Sequence, residues 1–308
     1  MLVRAIAGCC RKDPSIRGLA AGPKIALFYP GNQGKRMNWL IVTDLDGTLL
    51  DDDYLYAQAA EALDSIADTY PDARMALVSS KTPAEMIELA GRCRSDPILI
   101  FENGTGMAWR EPVLCRPGAA RQEGFEIECF GKPYAEVVAT LRSLRVQHDF
   151  QFRGFSDMTP REVVSLTGLS HSGAEKARQR LGSEPLQFTG SDQALTAFQA
   201  ALQAQGLALV RGGRFHHVGS NLNKGRAVAK LWRLLRFQFG IHARTVACGD
   251  APNDLEMMER ADHAIVFPAR GGGYLEPENP NTQRAPVAGP SAWLDAVSEV
   301  LEHNHAAA

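Results

Sequence analysis

The stretch TDLDGTLL, residues 43–50, follows the apolar run WLIV and places Asp44 and Asp46 two residues apart after a predicted strand. A second stretch, ACGDAPNDLEMM at 247–258, places Asp250 in a turn after another apolar run. Carboxylates presented at strand ends can hold a hard divalent cation, supply a nucleophile and move a proton. The two stretches together predict a site for metal-assisted phosphoryl transfer.

The residue types of the first stretch predict a role for Asp44, Asp46 and Gly47. We expect Asp44 to attack phosphorus and form an aspartyl-phosphate, which splits a difficult hydrolysis into two displacements. Asp46 would protonate the leaving oxygen and then deprotonate the attacking water. Gly47 permits a tight turn and brings backbone N–H groups near the phosphoryl oxygens. A lone D-x-D is commonly a solvated turn, but two carboxylates bracketed by LIVT and GTLL favour a functional pair.

Two further residues are candidate phosphate contacts. Ser79 ends the apolar run MALVS, and its hydroxyl can donate to a phosphoryl oxygen, whereas Thr82 is expected to cap the helix that follows. Lys224 opens a predicted helix that runs to about Phe239. A lysine at a helix start is normally a surface charge, but facing the phosphoryl group it would neutralise charge shared with Asp44.

The turn GDAPND supplies the remaining candidate metal ligands. Asp250 is predicted to bind Mg²⁺, with Asn253 and Asp254 binding the ion directly or supporting its ligands. Mg²⁺ keeps several waters and binds through one or two protein carboxylates and substrate phosphate, which suits this set. The predicted metal residues are Asp44, Asp46, Asp250 and Asp254.

The order of elements predicts an α/β fold. The predicted strands lie at 39–43, 74–78, 97–101 and 244–248, and the predicted helices at 55–67, 83–92 and 253–260. This alternation indicates a Rossmann-like parallel sheet core with helices on both faces. Ligands of such sheets bind beyond the carboxyl ends of the strands. Asp44, Asp46, Ser79 and Asp250 would all fall at that edge.

The middle of the chain differs and predicts an inserted α+β cap domain at 111–212, between core segments 37–110 and 213–308. Its strand-like and helical patterns lie at 125–130, 134–146, 173–181, 185–189, 192–204 and 207–212, and a further strand-like pattern follows the boundary at 214–219. A Gly/Pro-rich loop is predicted at 268–290. Residues 1–36 are basic and lack periodicity, so we expect a disordered extension or a start codon placed too early, with Met37 as the working N-terminus.

Composition excludes several classes of protein. The chain has 308 residues, 45% of them hydrophobic, which suffices for two domains. A formal net charge of -2 gives no basic field for nucleic acid, so a small-molecule substrate is expected. The six cysteines show no C-x-x-C spacing, which argues against a disulfide scaffold and a zinc site. No apolar run approaches the roughly 20 residues of a membrane span, so we expect a soluble, cytoplasmic protein of undetermined oligomeric state.

Taken in order, DLDGTLL, SSKT, the KG at Lys224 and GDAPND resemble the four motifs of the haloacid-dehalogenase-like phosphatase superfamily. The insertion between the second and third motifs resembles that superfamily's type-II cap. Within it, SSKT, FENG at 101–104, DMTPREVVSLTGL at 157–169 and SEP at 183–185 resemble mannosyl-3-phosphoglycerate phosphatases and their relatives. This resemblance implies Mg²⁺-dependent removal of phosphate from a glycosylated glycerate, as in compatible-solute synthesis. It also implies that the carbonyl of Asp46 joins Asp250 as a metal ligand.

Arginines in the cap are candidates for the carboxylate of such a substrate, which needs a cation or a nest of backbone N–H groups. Arg180, just before SEP, is the first candidate, followed by Arg178 and Arg214. For each of them a solvated face of a helix or strand is the alternative interpretation.

Five other polar residues are also placed near the substrate or in the cap. Glu102 and Asn103 follow a predicted strand, where they would bind sugar, orient the site or simply form a turn. Asn253 is expected near the substrate as well as the metal. His216 and His217 point to opposite faces if 214–218 is a strand, so at most one faces the cleft.

Three functions compete on the sequence. The first is a mannosyl-3-phosphoglycerate phosphatase that takes a phosphorylated sugar or glycosyl-glycerate. The second keeps the chemistry for glucosyl-3-phosphoglycerate, a sucrose-phosphate-like ester or another phosphorylated metabolite, or transfers phosphate as a mutase does. The third is a non-catalytic metabolite-binding protein, which the paired acids disfavour because binding alone has no use for a second aspartate.

Overall fold

The computed structural model describes residues 39–51, 55–111, 114, 119–212, 214–239 and 243–305. The predicted extension at 1–36, with Met37 after it, lies outside the described residues and stays a prediction. None of the helices in the described part of the chain combines the length and apolar content needed to cross a membrane.

The strands and helices alternate along much of the chain. The strands are Trp39–Asp44 (β1), Ala73–Val78 (β2), Ile98–Phe101 (β3), Gly106–Trp109 (β4), Ala120–Gln122 (β5), Phe125–Cys129 (β6), Phe152–Gly154 (β7), Ser183–Phe188 (β8), Ala208–Arg211 (β9), His216–Gly219 (β10), Arg244–Gly249 (β11), His263–Val266 (β12) and Thr282–Arg284 (β13). The α-helices are Tyr56–Thr69 (α1), Pro83–Ala90 (α2), Tyr134–His148 (α3), Pro160–Thr167 (α4), His171–Ala177 (α5), Asp192–Ala204 (α6), Lys224–Phe239 (α7), Leu255–Glu259 (α8) and Pro290–His305 (α9).

The larger sheet of the described residues has the strand order β13-β12-β11-β1-β2-β3-β4-β6-β5. Strands β13 through β3 run parallel, and β4, β6 and β5 continue the sheet as antiparallel neighbours. Strand β1 lies between β11 and β2, so the carboxyl ends of these three strands meet at one edge. The predicted Rossmann-like core is confirmed, and this edge carries the candidate site.

Both faces of the large sheet are buried, as a parallel sheet covered by helices requires. Along β1, Trp39 and Ile41 pack into a core with α1, α2 and α9 on one face, whereas Leu40 and Val42 pack against α7 and α8 on the other. The apolar run therefore has no free face. The carboxyl end of β1 is polar instead, because its last residue is Asp44.

The second sheet has the order β7-β8-β10-β9 and is antiparallel throughout. Helices α3 and α6 cover one face of it with Val137, Phe198 and Leu202. Helices α4 and α5 form a smaller cluster with their own buried residues. The Thr82 hydroxyl at the start of α2 donates to the carbonyl of Lys176 in α5 at 2.9 Å, which ties this layer to the large sheet.

The sheets depart from the predicted division at 111–212. Strands β5 and β6 belong to the large sheet because β4 turns back antiparallel to β3 and gives β6 an edge to pair with. Strand β10 belongs to the second sheet because it forms a hairpin with β9 and also pairs with β8. The predicted loop at 268–290 contains β13, which pairs with β12. The assignment of a separate cap domain stays a prediction.

Helix bounds also differ where a cap decides them. The helix predicted at 173–181 begins at His171, because the Ser170 side chain accepts the Gly173 N–H at 3.0 Å and caps it earlier. Helix α7 spans Lys224–Phe239 as expected.

The aromatic cluster of the second sheet generates a stability prediction. Phe198 is fully buried, with its ring centroid 5.1 to 5.3 Å from those of Phe150, Phe152 and Phe188. We expect Phe198→Ala to lower the free energy of unfolding by about 3–5 kcal/mol, because it removes a large buried side chain and leaves a cavity.

The matched control is Phe237→Ala in α7, whose side chain is 88% exposed. Chemical denaturation of the two variants and the wild type checks the prediction, and the control should stay within about 0.5 kcal/mol of wild type. Equal losses in the two variants would contradict the cluster's role.

Candidate active site

The chain brings three polar strand ends to one edge of the large sheet. Asp44 is the last residue of β1, Ser79 follows β2 and Asp250 follows β11. The end of β1 is held from below, since Trp293 Nε1 donates to Thr43 Oγ1 at 2.9 Å and that hydroxyl donates to the Asp44 carbonyl at 2.8 Å. The backbone position of Asp44 is therefore fixed by buried contacts.

Lys224 connects the acids of two different turns. Its Nζ lies 2.8 Å from Asp44 Oδ1 and 2.7 Å from Asp254 Oδ1, and its side chain is 2% exposed. The other oxygen of Asp254 accepts the backbone N–H groups of Asp250 at 3.3 Å and Ala251 at 3.1 Å. Lys224 is thus a buried, paired cation rather than a surface charge.

Burial and like charge perturb the titration of this group. Burial raises the pKa of Asp44 well above its ordinary value; Lys224 opposes this, and Asp254 and Asp250 add to it. Burial, and next the charge of Asp254, raise the pKa of Asp250 to about 6. For Lys224, burial lowers the pKa, but Asp254 and Asp44 outweigh burial and raise it above its usual value. The single positive charge of Lys224 therefore does not neutralise the three neighbouring carboxylates.

The donor set fits a hard divalent cation. Asp44, Asp250 and Asp254 each offer a carboxylate oxygen, and these atoms lie within 4.8 Å of one another. Asp254 is engaged at both oxygens by Lys224 and the backbone, which leaves Asp44 and Asp250 as the better ligands. The carboxylate of Asp46 is not part of this group of described residues. All-oxygen ligands at this spacing suit Mg²⁺.

Gly47 makes room for Asp250. Its φ is +82°, and a Cβ at this position would lie 2.6 Å from Asp250 Oδ2, so glycine is required both by conformation and by space. Its own N–H donates to the Leu50 carbonyl at 2.9 Å. That amide is therefore engaged within the turn, and the predicted role of Gly47 in bringing backbone N–H groups near phosphate stays a prediction. Thr48 donates to Asp250 Oδ1 at 3.4 Å from the same turn.

Asp46 pairs with a lysine that sequence reasoning missed. Lys81 Nζ lies 2.8 Å from Asp46 Oδ1, and the Asp46 side chain is 35% exposed. Lys81 is the lysine of the SSKT motif, in which the sequence analysis assigns roles only to Ser79 and Thr82. Lys81 is itself buried and lines the cavity beside the acids.

Ser79 and Thr82 flank this lysine. Thr82 caps α2 with a capping box to Glu85, as expected. Ser79 is buried at the strand end, and its hydroxyl accepts the backbone N–H of Lys81 at 3.2 Å. It is not among the described residues that line the cavity, where Ser80 and Lys81 appear instead. Its role as a phosphate contact stays a prediction.

A cavity of about 470 Å³ lies between the acids and the second sheet. Its described lining combines acids, cations and apolar groups, including Asp44, Asp46, Asp250, Lys81, Lys224, Arg180, Arg214, Asn253, His217, Phe155, Leu169 and Phe215. The volume suits a small molecule. The acids and cations would face a charged part of it, and the second sheet would face the rest.

Arg180 lies in the cavity wall where the two sheets meet. Its Nη2 donates to the Ser80 carbonyl at 3.1 Å and to Ser183 Oγ at 2.7 Å, and its Nε donates to the Ser183 carbonyl at 3.2 Å. Arg214 also lines the cavity and donates to the Thr167 carbonyl at 2.7 Å. Of the three candidate arginines, Arg178 is not among the lining residues of the described chain.

Glu102 is engaged in holding the chain between the sheets. It is fully buried, with Oε1 accepting the N–H of Leu181 at 2.7 Å. Its Oε2 accepts the N–H groups of Gly182 at 3.1 Å and Ser183 at 2.7 Å, and the Ser183 hydroxyl at 2.8 Å. Glu102 does not line the cavity of the described residues. These contacts favour a role in orienting the chain between the two sheets, and direct binding of sugar by Glu102 stays a prediction.

Asn103 and Asn253 bond to each other, with Asn253 Nδ2 donating to Asn103 Oδ1 at 3.1 Å. Asn253 lines the cavity and Asn103 lies behind it. Asn103 has a φ of +58°, which fits the turn interpretation of FENG. Alternation along β10 places His217 in the cavity lining and leaves His216 out of it, as expected for a strand.

Comparison with solved structures identifies the fold. A haloacid-dehalogenase-like hydrolase from Bacteroides thetaiotaomicron matches 85% of this chain and 99% of its own, with a TM-score of 0.56 and 16% identity. The sucrose-phosphatase from Synechocystis in complex with sucrose and phosphate matches 86% of this chain and 98% of its own, with a TM-score of 0.53 and 15% identity. This chain has the haloacid-dehalogenase-like fold.

A relative of known name is similar to this chain in sequence as well. The glucosyl-3-phosphoglycerate/mannosyl-3-phosphoglycerate phosphatase from Persephonella marina is 28% identical over 274 residues, which cover 85% of this chain and 97% of the relative. No family model matches the chain. The haloacid-dehalogenase-like resemblance predicted from the four motifs is confirmed.

The crowded carboxylates predict how stability depends on pH in metal-free protein. Because the pKa of Asp250 is raised to about 6 in the folded state, the stability it contributes is fully present below its unfolded pKa, near 4, and is lost as pH rises through 6. The loss is about 3 kcal/mol for a shift of this size. Asp250→Asn should remove this dependence and gain stability relative to wild type above pH 6.

Chemical denaturation at pH 4 and pH 7.5 with a chelator checks this prediction, and added Mg²⁺ at pH 7.5 should stabilise wild type more than Asp250→Asn. A constant difference between the two proteins across this range would show that Asp250 titrates normally.

Proposed function

We propose that this chain is a Mg²⁺-dependent phosphomonoester hydrolase that acts through an aspartyl-phosphate on Asp44, with mannosyl-3-phosphoglycerate as its substrate. The observation that carries the proposal is the buried Lys224 ammonium, 2.8 Å from Asp44 and 2.7 Å from Asp254, beside a cavity of about 470 Å³. A nucleophile held by a buried cation at the mouth of a cavity suits attack on an anionic phosphoryl group.

In the first step, a carboxylate oxygen of Asp44 attacks phosphorus and the P–O bond to the substrate breaks. The departing oxygen takes a proton from Asp46, so the leaving group is released as a neutral alcohol. Lys81, 2.8 Å from Asp46, holds that carboxyl group at the cavity. Lys224 offsets charge on the attacking carboxylate and the phosphoryl oxygens.

In the second step, water attacks the phosphorus of the aspartyl-phosphate and gives its proton to Asp46. The acyl phosphate P–O bond breaks, which restores the Asp44 carboxylate and releases inorganic phosphate. Asp44 and Asp250 would hold the Mg²⁺, with the Asp46 carbonyl as the third proposed protein ligand. When bound, this ion supplies positive charge that lets the phosphate approach several acids.

The substrate assignment rests on the curated relative, whose name covers both glucosyl- and mannosyl-3-phosphoglycerate. A cavity holding Arg180 and Arg214 as well as Lys81 and Lys224 supports an ester with a second anionic group, such as the carboxylate of glycerate. Glucosyl-3-phosphoglycerate is the second candidate, because the two sugars differ in the orientation of one hydroxyl. The cytoplasm remains the predicted location.

Phosphate release from glycosyl-3-phosphoglycerates, hexose phosphates and an aryl phosphate with Mg²⁺ tests this proposal. We expect Asp44→Asn to lower kcat by at least about 10³-fold, since it removes the nucleophile. The matched control is Asp295→Asn, because Asp295 is exposed on α9 and is not a lining residue. Wild-type turnover in the Asp44→Asn variant would contradict the aspartyl-phosphate. Preference for a plain hexose phosphate would remove only the substrate assignment.

The proposed role of Asp46 predicts a dependence on the leaving group. Alkoxides need a proton from the general acid far more than phenolates do, so Asp46→Asn should slow alkyl phosphate hydrolysis about 10²–10⁴-fold and slow the first step with a good aryl leaving group much less. Steady-state kinetics with both ester classes, and burst kinetics for the aryl ester, provide the measurement. Equal slowing of the first step for both classes would show that Asp46 is not the proton donor.

A further inference from the structure

The described lining of the cavity includes a buried histidine, His217, that the proposed reaction does not use. Buried polar atoms without a hydrogen-bond partner in the described lining belong to Asp46, Asn253 and His217. Asp46 is ion-paired with Lys81, and Asn253 donates to Asn103. Nδ1 of His217 is buried without a hydrogen-bond partner among the described residues, and the whole residue is only 6% exposed.

His217 is placed in the cavity by the register of the second sheet. On the central strand β10 it lies opposite Pro185 of β8, and that proline also lines the cavity. A Cβ on Gly212 would lie 3.0 Å from His217 Nε2, so the turn before β10 leaves space for the ring. The imidazole therefore lies in the wall that the second sheet contributes, whereas the acids form the wall at the end of the large sheet.

A buried imidazole with an unpaired nitrogen is less favourable for packing than an apolar side chain. Burying a polar group without a hydrogen bond costs free energy that an apolar side chain of similar size would avoid. The nearby lining already includes apolar rings, since Phe155 and Phe215 pack edge to face with centroids 5.1 Å apart. A histidine here is explained if a ligand completes its hydrogen bonds.

The charge state of the ring indicates what kind of group it binds. Burial first, and then the charges of Arg180 and Lys224, lower the pKa of His217 to about 3. The ring is therefore neutral at physiological pH, with one N–H donor and one acceptor nitrogen. This pattern matches a hydroxyl, which can both donate and accept, better than an anion. Phosphate and carboxylate are better matched by the lysines and arginines of the same cavity.

We propose that His217 is a specificity-determining residue that hydrogen-bonds a hydroxyl of the glycosyl part of the substrate. This inference rests on the proposed function and deepens it, because it assigns the sugar to the second-sheet wall. His217 takes no part in moving the phosphoryl group or a proton in this assignment.

The test compares two esters that share the reacting phosphate. D-3-phosphoglycerate carries the phosphate and the carboxylate without the sugar, whereas mannosyl- or glucosyl-3-phosphoglycerate carries all three. We expect His217→Phe to lower the ratio of kcat/KM for the glycosyl ester to that for 3-phosphoglycerate about 10- to 100-fold, mainly through KM. His217→Gln, which keeps a donor and an acceptor, should recover part of the ratio.

The matched control is His216→Phe, since His216 is adjacent in the chain but lies on the other face of β10, outside the described lining. It should keep the wild-type ratio. A wild-type ratio in His217→Phe, or an equal fall for both esters in His217→Phe and His217→Gln, would overturn the inference and leave the phosphatase proposal intact.

Binding measurements separate the two proposals. Calorimetric titration of the glycosyl ester into Asp44→Asn protein measures affinity without turnover, and adding His217→Phe should weaken Kd about tenfold or more. If wild type hydrolyses neither ester, the proposed function fails and this titration still decides the role of His217. Unchanged affinity in a folded double variant, or no binding in the Asp44→Asn protein, would overturn it.

Discussion

The site depends on one buried ammonium group. Lys224 is almost completely enclosed, and an isolated charge there would be strongly unfavourable without its partners Asp44 and Asp254. These partners come from β1 and from the turn after β11, and Lys224 itself begins α7 shortly after β10 of the second sheet. A single ion network therefore fixes two strand ends of the large sheet and the point where the chain returns from the second sheet.

Glu102 gives the cavity a second fixed point. Its carboxylate accepts the backbone N–H groups of Leu181, Gly182 and Ser183, just before or at the start of β8, and Arg180 reaches the Ser80 carbonyl after β2. Hydrogen bonds to a charged acceptor are each worth about 1.5–3 kcal/mol. The second sheet is consequently tied to the large one close to the reacting groups, which keeps the two walls of the cavity in a defined register.

The sequence predicted those features that depend on local pattern and chain order. The apolar runs before Asp44 and Asp250 predicted two of the strands. The alternation of strands and helices predicted a parallel sheet, in which the carboxyl ends of the strands lie at one edge. Features set by pairing across the chain were not predictable in this way. The membership of β6 in the large sheet depends on β4, which turns back along β3. The role of Glu102 depends on partners about 80 residues away, and a motif shows only that it follows a strand.

The acids and the cavity illustrate how function opposes stability in this fold. Asp44, Asp250 and Asp254 are crowded by the same strand ends that make the site, and one lysine does not balance three carboxylates, so the pKa values of Asp44 and Asp250 rise. His217 adds a buried ring nitrogen, Nδ1, that has no hydrogen-bond partner among the described residues. Each of these features is unfavourable on its own, and each would be offset by the group that we propose to bind there: a divalent cation for the acids and a hydroxyl for the ring. Since ligands that bind only the folded state stabilise it, these unfavourable features support the proposed combination of a divalent cation and a glycosylated phosphate ester as the ligand of this site.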